Sequence, residues 1–166
     1  LLFCVAFYGD DTQDEIIAFD VQTLQFRHRF GRGLMHDVRG LAVCGNELFA
    51  CDSKHDCVLA FSFTGELLRT IRGEWRRPTR LASFCDRLYL IEADPLNLGE
   101  EPWHPQACRR VFVLSPSGEP LQTYAPELEA GRRINGGTMA IFDQHLVLTT
   151  CNSEGHDRRL VALKGL

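Results

Sequence analysis

Short runs of β-branched and aromatic residues alternate with Gly, Asn, Asp and Pro along the chain, with a turn signal about every 8 to 12 residues. No stretch carries the 3.6-residue periodicity of a long amphipathic helix. The best helical segment, 127–133 (ELEAGRR), runs into Ile134-Asn135-Gly136-Gly137 and predicts a single turn at most. Both alternate positions of the strand-like runs are apolar, as in Val58-x-Ala60 against Leu59-x-Phe61, which is the pattern of sheets covered on both faces. The expected class is all-β.

The runs repeat. Residues 39–71 (RGLAVCGNELFACDSKHDCVLAFSFTGELLRTI) match 79–95 (TRLASFCDRLYLIEADP) followed by 109–124 (RRVFVLSPSGEPLQTY). Leu41-Ala42 falls on Leu81-Ala82, Leu48-Phe49 on Leu88-Tyr89, 58–61 on 111–114, and Gly65-Glu66 on Gly118-Glu119. A partial copy precedes them, with Ile16-Ile17-Ala18-Phe19 in the place of 58–61, and another follows in GTMAIFDQHLVLTTCN and RRLVALKG. Each full copy holds four strands, a to d, near 39–44, 47–51, 57–62 and 67–71 in the second copy. A period of about 40 residues built from four short strands predicts a β-propeller of four-stranded antiparallel blades. Gly45-Asn46 joins a to b, and Thr64-Gly65 and Ser117-Gly118 join c to d as tight hairpins. The expected organisation is one propeller segment over 1–166, about four blades, with parts near 1–33, 37–73, 77–124 and 134–166. The chain enters at strand b of the first blade and leaves after strand c of the fourth, giving fourteen strands.

The segment ACDSKHDCVLAFSFTGELLRTI resembles an NHL repeat: a strand ending in Ala-x-Asp-Ser, a short polar turn, an apolar strand, a Gly hairpin and a last strand with Leu-x-x-Thr. RGLAVCGNELF is similar to that family's Gly-Leu-Ala-Val start and Gly-Asn turn. Cys57 stands where the family usually has Arg, and the third copy offers Glu92 or Asp94 in place of Asp52. The resemblance implies a six-bladed ring of which this chain is a fragment; a four-bladed ring is the rival. It implies a non-catalytic platform that binds a protein or an acidic peptide through one loop rim. The alternatives that it carries are an RNA-binding NHL domain and a metal-dependent propeller enzyme of lactonase or amidating-lyase type, whose ligands are His, Asp, Asn and Glu around the central channel.

Composition narrows these choices. Hydrophobic residues are 45% and charged residues 24%, which excludes a disordered, collagenous or coiled-coil chain. With 18 Lys and Arg against 22 Asp and Glu, the net charge of −4 opposes a uniformly basic nucleic-acid binder. The longest apolar run, Leu1 to Tyr8, is far below the roughly 20 residues of a membrane helix and lacks the flanks of a signal peptide. Seven cysteines at irregular spacings fit reduced thiols, and a cytoplasmic location is expected, with no membrane association.

In an up-and-down blade the d-to-a and b-to-c loops share one rim. Arg76-Arg77 and Arg132-Arg133 fall in d-to-a loops, and Arg109-Arg110 and Arg158-Arg159 where b-to-c loops enter strand c. Trp75, Trp103 and the 94–107 insertion fall on the same rim, as do Asp10, Asp11, Asp14, Glu15, Asp52, His55 and Asp56. Arginine forks grip carboxylates and tryptophan supplies a flat apolar anchor, so the ten Arg and Trp residues are the candidate protein-binding site. The competing expectation is that these arginines pair with acids of the adjacent blade. Residues 69–80 carry Arg69, Arg72, Arg76, Arg77 and Arg80 around Trp75, the stretch on which an RNA footprint would rest.

No metal or cofactor site is expected. Cys44, Cys51, His55 and Cys57 come near one another without a CxxC pair, and strand alternation sends Cys51 and Cys57 inward as small hydrophobes. Asp94, Asn97, Glu100 and Glu101 lack an ordered calcium-loop signature. His36, His104, His145 and His156 have no matching spacing, and no nucleophile elbow, phosphate loop or HExxH motif occurs, so catalysis is the minority expectation and a small-molecule ligand stays open.

Overall fold

The computed structural model describes residues 1–7, 14–92, 107–108, 110–125, 132–152 and 158–164, and among them there is no helix. The first sheet holds β1 (Leu2–Ala6), β2 (Glu15–Phe19) and β3 (Phe26–Phe30), in that order. The second holds β4 (Val38–Cys44), β5 (Glu47–Asp52), β6 (Cys57–Ser62) and β7 (Leu67–Arg72). The strand boundaries of this copy lie within a residue of those expected. Next come β8 (Pro78–Phe84), β9 (Arg87–Glu92) and the two-residue β10 (Ala107–Cys108), then β11 (Val111–Leu114) and β12 (Pro120–Tyr124). The third sheet has the order β12-β11-β9-β8. The fourth joins β13 (Arg132–Phe142), β14 (His145–Asn152) and β15 (Arg158–Lys164), with β10 on the free edge of β13. All neighbours are antiparallel, and each sheet is a blade in chain order.

Fourteen of these strands are the expected ones, and β10 is the addition. The end of the 94–107 insertion crosses from blade 3 to blade 4, where Ala107 faces Asn135 and Cys108 faces Ile134. The rest of that insertion lies outside the described residues. So do residues 127–131 of the expected helical turn, while Arg132 and Arg133 already belong to β13.

Turn chemistry explains the registers. Gly65 and Gly118, in matching c-to-d hairpins, have φ 93 and 96, values that favour glycine, and Gly45 has φ 58 in the a-to-b turn. The a-to-b turns of blades 3 and 4 use no glycine. Cys85-Asp86 (φ 47 and 53) and Asp143-Gln144 (φ 46 and 59) form type I′ turns with side chains in the left-handed region.

The core lies between blades, and strand alternation decides which junction each side chain fills. In β5, Leu48 and Ala50 face blade 1 while Phe49 and Cys51 face blade 3. In β6, Leu59 and Phe61 face blade 1 and Val58 and Ala60 face blade 3. A third cluster of Tyr89, Ile91, Val111 and Val113 with Leu146 and Leu148 joins blades 3 and 4. This is why both alternate positions are apolar. The a strands converge so closely that a Cβ at Gly40 would lie 2.9 Å from the Leu81 nitrogen and 3.1 Å from Arg80 Cα.

Thiols divide by the same packing. Cys44, Cys51 and Cys57 are buried, and Cys4 and Cys85 are exposed. Burial pushes the Cys51 thiol well up, and it pushes Cys57 up to about 11, helped by the Asp52 charge. Only thiolates alkylate, so iodoacetamide at pH 7.5 is expected to modify Cys4 and Cys85 in the native protein and to spare Cys44, Cys51 and Cys57 until urea is added. Peptide mapping by mass spectrometry reads this directly. Because the folded Cys57 holds its proton above the ordinary thiol value of 9.0, its contribution is complete below that value and is lost as pH rises toward 11.

Candidate interaction rim

Among the described residues, the rim of blades 1 to 3 is anchored by acids at the end of a b strand or just ahead of a c strand. Asp52 closes β5 and is fully buried. Its Oδ1 accepts from the His55 backbone N–H (3.1 Å), and its Oδ2 accepts from the His36 N–H (3.2 Å) and meets His55 Nδ1 (2.8 Å). Glu92 closes β9 in the same way, 1% exposed. Its Oε2 accepts from the Arg76 N–H at 3.1 Å, and the Arg110 Nε and Nη2 donate to its two oxygens at 2.7 and 3.1 Å. His36 and Arg76 each stand two residues ahead of their blade's a strand, so Glu92 is the third copy's counterpart of Asp52. Asp94 lies outside the described residues.

A second pair stitches one blade to the next. Asp14 precedes β2 and its Oδ2 accepts from Val38 N–H, the first amide of β4, at 2.6 Å. Asp56 precedes β6 and its Oδ1 accepts from Arg77 N–H, just ahead of β8, at 2.6 Å. The buried Ser53 hydroxyl adds a bond to the Pro78 carbonyl. Carboxylates accept backbone amides with charge-assisted strength, so these loops are held rather than loose.

The rim arginines sit on this frame. Arg76 Nη1 is 3.0 Å from Asp56 Oδ2, with its side chain 69% exposed. Arg77 Nη2 is 4.0 Å from Asp37 Oδ2. Arg110 forks onto Glu92, which raises its pKa, and its guanidinium carbon lies 4.7 Å from the Phe112 ring centroid. Trp75 joins them but does not face solvent. It is 3% exposed, with its ring edge-to-face with Phe112 at 5.7 Å, because the blade 2–3 core has room for an indole laid over Gly73. Its Nε1 is buried and has no hydrogen-bond partner among the described residues.

The remaining candidates belong to blade 4. Arg132 and Arg133 open β13 opposite Asn152 and Cys151, inside a strand and not in the loop ahead of it. Arg158 pairs with Cys151 and Arg159 with Thr150, and both are exposed, so the two arginine pairs meet at one end of that sheet. Trp103, Arg109, Asp10 and Asp11 lie outside the described residues. Thus Trp75, Arg76, Arg77 and Arg110 come together at the blade 2–3 junction, and the other four described arginines gather on blade 4.

Two rim arginines carried no pair signal and were missed in the sequence. Arg29 and Arg32 lie 3.7 and 3.5 Å from the buried Glu15 of blade 1. The basic stretch 69–80 is divided by its strands. Arg69 leaves the rim to fork onto Glu47, lowering that carboxyl's pKa, and Arg80 Nη1 donates to the carbonyls of Arg39 and Thr79.

Among the described residues no group of three His, Cys, Asp or Glu side chains is placed to hold a metal ion. His36 and His55 have their rings edge to face at 5.1 Å, and His145 Nδ1 faces the Asp143 carbonyl. His104, His156, Asn97, Glu100 and Glu101 lie outside the described residues.

The chain is similar to solved structures of this architecture. The WD40 repeats of RRP9 match 98% of it at 16% identity with a TM-score of 0.58. U3-55K matches 98% at 17% identity and 0.53, and the hydrazine synthase of Kuenenia stuttgartiensis matches 89% at 11% identity and 0.53. The match covers 50%, 51% and 43% of those chains, so this chain spans about half their length. No protein-family model and no curated protein matches the sequence. At these identities the likeness is one of fold, and the fold is a β-propeller.

Proposed function

We propose that this chain is an NHL-type propeller segment that serves as a non-catalytic platform for an acidic protein partner, bound through the rim of blades 2 to 4. The observation that carries this reading is the set of acids, the buried Asp14, Asp52 and Glu92 and the half-buried Asp56, that tie the rim loops to one another. A surface ordered before the partner arrives loses little entropy on binding. The NHL assignment is supported by the division of labour in Asp52-Ser53, where the acid secures its own blade and the hydroxyl reaches the next. Protein is favoured over RNA because an RNA footprint needs a continuous run of uncompensated cations, and Arg69, Arg76, Arg77 and Arg110 each already face a carboxylate.

The test is the fourfold variant Arg76→Ala, Arg77→Ala, Arg132→Ala, Arg133→Ala. The Arg76 and Arg77 side chains add exposed or long ion pairs worth about 0 to 1 kcal/mol each, so Tm is expected to stay within about 5 °C. The yield of a protein retained by the immobilised native chain is expected to fall about tenfold. Unchanged retention with Tm preserved would refute the rim as the platform.

A further inference from the structure

The d-to-a loop of blade 2 and the outer strands of blade 3 enclose a crevice of about 210 Å³, lined by Arg72, Glu74, Trp75, Phe112, Pro120 and Thr123. We infer that this crevice receives an aliphatic side chain of a partner peptide, with an adjacent carboxylate of that peptide on Arg72. The inference rests on the platform reading and names where that platform grips.

Three observations converge on it. The walls are an indole, a phenyl ring and a proline, which offer apolar contact to a branched aliphatic group. Trp75 is 3% exposed and its Nε1–H has no acceptor among the described residues, although buried donors are nearly always paired. The indole lines the crevice, so its N–H resonance reports on what enters there. The charge left over is also here. Arg76, Arg77 and Arg110 all face carboxylates, but Arg72, which is exposed, spends Nη1 on the His55 carbonyl at 2.8 Å and forms no ion pair among the described residues. Its remaining guanidinium N–H groups match one carboxylate in a fork. Glu74, in the same lining, disfavours a polyanion and so selects a single carboxylate.

The Cβ space at Gly73 shows why the crevice has this shape. A methyl group there would lie 2.1 Å from the Trp75 ring, so the loop backbone itself is the shelf against which the indole is held. The apolar wall is therefore fixed from behind by the loop that also presents Arg72 and Glu74.

The probe is the blocked dipeptide acetyl-leucyl-aspartyl-amide, titrated into the ¹⁵N-labelled chain while the two tryptophan indole resonances are followed, Trp75 being assigned with Trp75→Phe. The expected result is a saturable shift of the Trp75 resonance in the millimolar range. Dissociation constants about tenfold higher are expected for Arg72→Gln and for the leucyl-asparaginyl analogue, with Arg72→Lys in between. Arg72→Lys keeps the charge and guards against a folding defect in Arg72→Gln. No shift, or a shift indifferent to Arg72 and to the carboxylate, overturns the inference. An unmoved resonance together with partner retention that fails in the fourfold variant overturns the crevice and leaves the platform standing. An Arg72-dependent shift with retention unaffected in that variant upholds the crevice and removes the rim platform.

Discussion

Asp52→Ala is expected to lower folding stability by about 3 kcal/mol, measured by urea denaturation with an unchanged m value. The carboxylate is completely buried, and its removal strands the N–H groups of His36 and His55 together with the His55 ring nitrogen. Each buried donor left unsatisfied costs about 1 to 3 kcal/mol, partly relieved here because the His55 side chain is 46% exposed. His55→Ala, which removes the exposed partner and keeps the buried acid bonded to two backbone amides, is expected to cost about 1 kcal/mol or less. Similar losses for the two variants would contradict the view that the acid, and not the ion pair, organises the rim.

Phe61→Ala is expected to cost about 3 to 5 kcal/mol, and Phe142→Ala to change stability by less than about 0.5 kcal/mol. Phe61 is fully buried between blades 1 and 2, with its ring 5.4 Å from Phe30, whereas Phe142 is 76% exposed. The same chemical deletion thus separates a residue at a blade junction from one outside it. In a stack of repeats the stability resides in nearest-neighbour contacts, so the Phe61 loss is also expected to loosen blade 1 more than blade 3. Amide hydrogen exchange of β2 and β11 compares the two.

Blades 2 and 3 were legible because two local signals agree in them. Alternation placed Val58 and Ala60 opposite Leu59 and Phe61, and Gly65 and Gly118 marked hairpins that must carry positive φ. Strand β10 carried no such signal. Two residues, Ala107 and Cys108, have no periodicity, and only their distant partners Asn135 and Ile134 make them a strand. The turns at Cys85-Asp86 and Asp143-Gln144 are silent for a related reason, since side chains there occupy a conformation that sequence patterns assign to glycine or asparagine.

The candidate residues were legible as places on loops and not as a set of partners. The strand order placed Arg76, Arg77 and Arg110 on one rim, and there they stand. Their carboxylates, Asp56, Asp37 and Glu92, come from other loops and strands, so the ion pairs depend on how blades meet. Trp75 illustrates the limit most clearly. An indole among arginines reads as an exposed anchor, yet Phe112 of the next blade and the bare backbone of Gly73 draw it inward. Arg72 shows the converse, because a charge becomes notable only when its neighbours are seen to be compensated.

The platform claim meets its most direct test in hydrogen–deuterium exchange of the native chain, alone and with the protein that it retains. The account predicts slowed exchange confined to residues 54–56 and 73–77 on the rim. Protection of the opposite turns, 45–46, 64–65, 85–86 and 117–118, with the rim unchanged, would contradict it.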